Sequence, residues 1–333
     1  MSNANVDLPS RAQPVQLRGE IESVMREIET LRKENAELKG IGSVVELLRQ
    51  EVDQCKRQNE ILKQRIRLAS MRTPTLSVCY SVDVDAASLF WDFDLIVVDS
   101  NCREDAVKAL ATDGRIVFGY LSLGAVDKGR AWYSTLEEKK CLAGENKGYT
   151  SVRINLANPA AGKLFLDTVI PEMKQKGFNG LFLDDLDLIY THNQGKYAVE
   201  LMGAIREKYP SLKLFANRGL EILGDYAKHI DYVLLESCFA LNGTMRDQGD
   251  PQWALSHLKK GQKANPGLVG CALDYFADKE EKDRKISTEQ ADLIEKIKQA
   301  HKLHGLVSCV SVKALDVAVR RRWSSTSCQM SGV

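Results

Sequence analysis

Two hydrophobic rhythms divide the chain. Between residues 15 and 70, apolar residues recur at three- and four-residue spacings: Ile21, Val24, Ile28 and Leu31, then Asn35, then Leu38. The series resumes as Val45, Leu48, Val52 and Cys55, passes through Asn59, and ends at Leu62 and Ile66. Such spacing keeps one stripe of a helix apolar and predicts a coiled-coil seam. An Asn at a seam position fixes register and partner number at some cost in stability. Gly40-Ile41-Gly42 stops the first helix, and Ser43-Val44-Val45-Glu46 is a capping box that starts the next. Two arrangements satisfy this pattern: a parallel coiled coil with a stammer, which would make a homo-oligomer through residues 15–70, or a helical hairpin. Residues 1–14 are polar with two prolines and are expected to be disordered.

Arg72-Thr73-Pro74 ends the first rhythm, because the residue before proline disfavours helix. Beyond it, short apolar runs alternate with amphipathic segments. Strands are predicted over 77–82, 94–100, 115–124, 180–184, 213–217, 232–236, 268–275 and 305–312. Helices are predicted over 103–112, 160–176, 197–209, 251–264 and 287–303, the last opened by the capping box Ser287-Thr288-Glu289-Gln290. Strands apolar on both faces and separated by helices imply a parallel sheet with helical cover. Eight such units over residues 76–318 fit an α/β fold of the (β/α)₈ barrel type, followed by a tail over 319–333. A ninth apolar run, 150–156, reads as an extension inside a long third β–α connection; a doubly wound sheet is the alternative.

Bulk properties narrow the function. A net charge of +1 over 333 residues argues against a nucleic-acid-binding surface. No run approaches the ~20 apolar residues of a membrane span, and the N-terminus lacks the charged-then-apolar layout of a signal peptide, so a cytoplasmic location is expected. The eight cysteines form no CxxC pair, and four lie in or beside apolar runs, where a thiol behaves as a small hydrophobe. That usage fits a reducing compartment. There is no zinc-ligand spacing, P-loop or G-x-S-x-G elbow, so neither metal nor cofactor is expected. His301 and His304, at i and i+3 near a helix end, read as surface or helix-terminal residues.

The candidate chemistry lies at strand ends. Active sites of (β/α)₈ barrels sit at the C-terminal rim of the strands. The apolar run Leu181-Phe182-Leu183 ends in Asp184, Asp185 and Asp187, and side-chain alternation places Asp184 with Phe182 and Asp185 on the other face. Asp184 or Asp185 alone could be a helix cap. Several other strands also end in polar groups: Tyr80 on the first, Asp99 on the second, Tyr120 on the third, Asn217 on the fifth, Glu236 on the sixth, and Asp274 and Tyr275 on the seventh. Acids on several ends of one rim are hard to explain as caps. Two carboxylates across a barrel mouth suit glycoside hydrolysis, in which one protonates the leaving oxygen and the other attacks or activates water. The reading is therefore a polysaccharide- or oligosaccharide-binding site with Asp184 and Glu236 catalytic. Tyr80, Asp99, Tyr120, Asp187, Asn217, Asp274 and Tyr275 are placed around the sugar. Asp185 reads as structural.

GFNGLFLDDLD at 177–187 resembles the G-F-D-G-hydrophobic-F-L-D-x-x-D signature of the family 114 glycoside hydrolases, the endo-α-1,4-polygalactosaminidase-like barrels. Gly119–Gly124 (GYLSLG), Phe215–Gly219 (FANRG) and Leu235-Glu236-Ser237 follow the same family's pattern in order, over roughly Leu76 to Val312. The resemblance implies a (β/α)₈ barrel that cleaves α-1,4-linked galactosamine-containing polysaccharide, with Asp184 as nucleophile and Glu236 as acid/base. The residues themselves leave that order open. Two departures bear on it: Ala125 stands where the family usually has Glu, and Asn179 replaces the acid of G-F-D-G. Loss of a rim carboxylate at Ala125 makes a non-catalytic carbohydrate-binding barrel, assembled through its coiled coil, the alternative. Family members are typically exported, at odds with the expected location.

Overall fold

A computed structural model describes Met25 and residues 51–57, 74–80, 88–241, 243–247, 249–277, 286–313 and 315. The chain divides into two compact units, residues 1–73 and 74–333. The predicted coiled coil or hairpin, residues 1–14 and the 319–333 tail lie outside the described residues, except that Met25 and 51–57 are helical.

The second unit is a nearly closed (β/α)₈ barrel. Its strands are β1 (Leu76–Val78), β2 (Leu95–Asp99), β3 (Ile116–Ser122), β4 (Gly180–Asp184), β5 (Lys213–Asn217), β6 (Tyr232–Glu236), β7 (Val269–Ala277) and β8 (Val307–Val312). They lie side by side in chain order, and each successive pair is parallel. Across the remaining seam, the Tyr80 amide donates to the Leu315 carbonyl at 2.8 Å, joining the segments just past β1 and β8.

Alternation along each strand sorts side chains between two cores. Leu181 and Leu183 of β4 face outward with Ile96 and Val98 of β2 and pack against the helices. Phe182 faces inward with Val97, Phe118, Phe215, Tyr232 and Leu234. Phe118, Phe182 and Phe215 meet edge to face, with centroids 5.2 Å apart in both pairs, and Tyr232 closes against Phe118 at 5.6 Å. Edge-to-face pairs contribute ~0.5–1.5 kcal/mol beyond their buried area. This packed aromatic layer fills the barrel interior immediately beneath the strand ends, so the polar residues above it rest on an apolar floor.

Three local features follow from single residues. Helix 160–176 is one run as expected, but Phe165–Val169 is a π turn. Pro171, just beyond, has no N–H to give an α-helical bond, a common origin of such a defect. Asn179 bridges the start of β3, its Oδ1 accepting from Val117 N at 2.6 Å and its Nδ2 donating to Arg115 O at 3.0 Å. An ionised Asp there could accept but not donate, which explains the amide in place of the acid. Run 150–156 contains Val152–Ile154, the middle strand of a three-stranded antiparallel sheet with Ala125–Val126 and Leu142–Glu145. This small sheet belongs to the β3–β4 connection and stands over the rim.

Candidate active site

The ends of β4, β5 and β6 share a design. Each finishes with an inward polar residue, Asp184, Asn217 or Glu236, and each is followed by a non-glycine residue in the left-handed region: Asp185 (φ 63°), Arg218 (φ 56°) and Ser237 (φ 54°). That conformation costs an L-residue roughly 1–2 kcal/mol. Three in adjacent rim positions mark backbone held in a disfavoured geometry by its surroundings. At Gly219 (φ 59°) a Cβ would come within 2.5 Å of Leu186 Cβ, so the turn after β5 requires glycine.

Asn217 joins the two acids. Its Nδ2 donates to Asp184 Oδ1 at 2.8 Å and to Glu236 Oε2 at 2.9 Å. The two oxygens cannot be farther apart than these two bonds laid end to end, about 5.7 Å. Glu236 also accepts from Arg218 Nε at 3.1 Å and from Tyr275 Oη at 2.8 Å. Burial opposes ionisation of Glu236, but Arg218 and the bonds from Asn217 and Tyr275 outweigh it and hold its carboxyl below the usual range. Asp184 goes the other way. Burial first, then the neighbouring charges of Asp185 and Glu236, raise it to about 7, against the opposing bonds from the Asp185 amide and Asn217. Over the range between, the pair carries one proton and one charge.

Asp184, Glu236, Asn217, Tyr80, Tyr120, Tyr275 and Asp187 all line one cavity of about 520 Å³. Asp185 lines it too. It precedes helix Leu186–Thr191 without capping it, and its carboxylate instead accepts from the Ser122 hydroxyl, which in turn accepts from Ala125 N at 2.9 Å. Asp187 makes a half-exposed pair with Arg218 at 3.4 Å.

Two of the expected site residues lie elsewhere. Asp99 does not line the cavity, because Arg130 takes both its oxygens, at 2.7 Å each. Asp274 faces the opposite side of β7, where it is fully buried against His301. Counting residues from the apolar run put Asp274 at the strand end, but β7 continues to Ala277 and Tyr275 is its inward residue. His301 is likewise a core residue rather than a surface one.

The wall of the cavity comes from the β3–β4 connection. Arg130 fixes it, gripping Asp99 while its guanidinium lies 5.7 Å from the Tyr120 ring and 5.8 Å from Trp132. Beyond it, Asn146, Tyr149, Thr150 and Ser151 form the outer lining, with Tyr149 76% exposed. Strand-end counting did not find Arg130, Arg218, Ser122 or Tyr149 as site residues. Arg218 was within reach, since it stands between Asn217 and Gly219 in a recognisable motif.

The sequence model of glycoside-hydrolase family GH114 matches residues 51–325. The chain belongs to that family. This GH114 chain is similar in fold to the glycoside hydrolase domain of PelA from Pseudomonas aeruginosa, at 24% identity and TM-score 0.61, covering 74% of this chain and 97% of that one. It is also similar to Ega3 of Aspergillus fumigatus, solved in complex with galactosamine, at 14% identity and TM-score 0.55, covering 74% and 95%. No curated protein matches it. Within the GH114 barrel, Ala125 has its amide held by Ser122 and is nearly buried, while Asp127 lines the cavity two residues later. A carboxylate is therefore still present on that side of the rim.

Proposed function

We propose that this glycosidase cleaves α-1,4-linked galactosamine-containing polysaccharide by a retaining, two-carboxylate mechanism. The observation that carries the mechanism is the single Asn217 nitrogen bonded to both acids. It keeps their bonded oxygens within about 5.7 Å of each other, which supports the ~5–5.5 Å carboxyl spacing of retaining sites over the ~6.5–9.5 Å that leaves room for a water in inverting ones. The polymer is supported by family membership and by the galactosamine in the Ega3 structure.

The chemistry requires one carboxylate charged and one protonated. The free site supplies that combination, with the proton on Asp184 and the charge on Glu236. The family resemblance assigns attack to Asp184 and proton donation to Glu236. For that order to operate, the proton must change sides when substrate enters, and the total of one proton on the pair stays the same. Tyr80 and Tyr120, held protonated by burial and by the neighbouring carboxylates, remain donors to sugar hydroxyls throughout the working range.

Reducing-end release from an α-1,4-galactosamine polymer tests the assignment. Asp184→Asn and Glu236→Gln should each lose ~10²–10⁴ in kcat, the contribution of a general acid or base. Binding of the polymer without any product from the unaltered chain would replace the hydrolase reading with that of a carbohydrate-binding barrel.

A further inference from the structure

Asp274 and His301 are fully buried, yet neither reaches the cavity. Removing a carboxylate from water costs several kcal/mol unless hydrogen bonds replace the lost hydration. Here they do. Asp274 Oδ2 lies 2.7 Å from His301 Nε2, and Oδ1 accepts from Phe239 N at 2.8 Å and Ala240 N at 2.7 Å. His301 Nδ1 lies 2.8 Å from Ser308 Oγ on β8. Phe239 edges onto the His301 ring, centroids 5.1 Å apart.

The segment held in this way is the chain leaving Glu236. Three consecutive residues of β7 hold it at three points. Leu273 O accepts from Ser237 N at 2.8 Å, Asp274 takes the amides of Phe239 and Ala240, and Tyr275 Oη donates to Glu236 Oε1 at 2.8 Å. Asp274 and Tyr275 project to opposite faces of the strand, so one dipeptide connects the outer core to the carboxylate in the cavity. Ser237, directly after Glu236, holds a left-handed backbone conformation, a disfavoured geometry of the kind that surrounding contacts maintain.

We propose that the buried Asp274–His301 pair is a positioning device for Glu236, fixing the 237–240 turn and the height of Tyr275 against the carboxylate. Both are positioning residues, since neither touches the cavity. The inference rests on Glu236 being one of the two reacting carboxylates. It assigns to an Asp and a His far from the sugar a role in the protonation of the site.

A titration of the Glu236 carboxyl carbon by ¹³C NMR in the full chain tests it, with the resonance identified by its loss in Glu236→Gln. Glu236 faces Arg218 beyond β5, Asp184 on β4, Tyr80 beyond β1, Tyr275 on β7 and Cys238 beyond its own strand. His301→Gln changes none of these. It should raise the Glu236 midpoint by about half a unit, a roughly threefold change in its proton affinity. Tyr275→Phe should raise it at least as far, and the double variant should shift it by less than the two single shifts added, because part of the effect of His301 passes through the Tyr275 hydrogen bond. On polymer, kcat in His301→Gln should fall about tenfold with KM unchanged. An unmoved midpoint in folded His301→Gln, or shifts that add in the double variant, would overturn the proposal. If His301→Gln does not fold, Ser308→Ala removes only the outermost bond and should give a smaller shift of the same sign; no shift there overturns it equally. A chain without turnover whose Glu236 midpoint still follows His301 would sink the hydrolase reading and leave this coupling standing.

Discussion

At the floor of the cavity, buried Asn217 bonds to the largely buried Asp184 and Glu236 at the neighbouring strand ends, and the aromatic layer of Phe118, Phe182 and Phe215 lies directly beneath. At the wall, Tyr149 is 76% exposed at the edge of a small antiparallel sheet that belongs to no barrel strand. The floor is charged, hydrogen-bonded and backed by apolar side chains, so electrostatic interactions there are strong and small displacements matter. The wall is largely neutral hydroxyl, amide and aromatic surface, which suits contact with sugar rings away from the cleaved bond. The contrast teaches a division of labour. Floor residues should govern kcat and its pH dependence, whereas wall residues should govern KM for long substrates.

The largest effects should come from the floor, and they can also settle the order of its two acids. Asp184→Ala and Glu236→Ala should each lose at least ~10²–10⁴ in turnover. Added azide can enter the space left by either side chain. Rescue at the nucleophile position yields a glycosyl azide of inverted anomeric configuration, and rescue at the acid/base position yields the retained one. The family order predicts inversion for Asp184→Ala; the resting charges predict it for Glu236→Ala. NMR of the azide product distinguishes them, and azide products of inverted configuration from both variants would exclude a covalent route.

A second floor effect is one of stability. Asp184 titrates near 7 in the folded chain and near the ordinary carboxylate value when unfolded. The native state therefore binds the extra proton between about pH 4 and 7, and its stability is highest below that window and declines as pH rises through it. Asp184→Asn should remove this decline, leaving the midpoint of thermal unfolding little changed at pH 4 and raised at pH 8. Each ~1 kcal/mol recovered corresponds to ~2–4 °C for a domain of this size. Turnover of the unaltered chain should fall over the same upper limb as the pair loses its single proton. A variant no more stable at pH 8 than at pH 4, relative to its parent, would mean that Asp184 is not held in an unfavourable charge state.

These floor predictions concern residues that sequence reasoning could reach. The fold was legible because eight short runs, apolar on both faces, alternate with helical segments, a pattern few folds other than a parallel barrel satisfy. Asp184, Asn217 and Glu236 were legible for a related reason: a polar residue that ends an apolar run has to lie where the strand leaves the core. Asp274 also follows an apolar run, but β7 extends past it, and one residue of register moves a side chain to the other face. Nor could the sequence reveal that His301 lies behind that strand, 27 positions away. The wall was illegible for a different reason. Its residues are placed by Arg130 bridging to Asp99 and by a sheet whose strands are two to four residues long, and neither leaves a periodic trace.

The wall itself is tested at Tyr149. Tyr149→Ala should raise KM for the polymer about tenfold, the equivalent of one aromatic contact of ~1 kcal/mol or slightly more, and leave kcat alone. Short substrates that fill only the floor should be cleaved as before. A loss of kcat, or equal losses on short and long substrates, would show that the wall participates in the chemistry and that the two regions are not separate.

The smallest effect should be at their boundary, where Asp187 lines the cavity but is paired to Arg218 across 3.4 Å with both partners more than two-fifths exposed. Exposed pairs of this kind contribute ~0.2–1 kcal/mol, so Asp187→Asn should alter turnover less than about fivefold. Arg218 would keep its bond to Glu236, at 3.1 Å, which is the contact that holds that carboxyl ionised. The measurement is informative because Asp187 belongs to the same run of acids as Asp184 and Asp185 and looks equivalent to them in sequence. If the Asn variant instead lost a hundredfold, the Arg218–Asp187 pair would have to be setting the orientation of the guanidinium on Glu236. The charged floor would then extend one shell further toward solvent than its burial indicates.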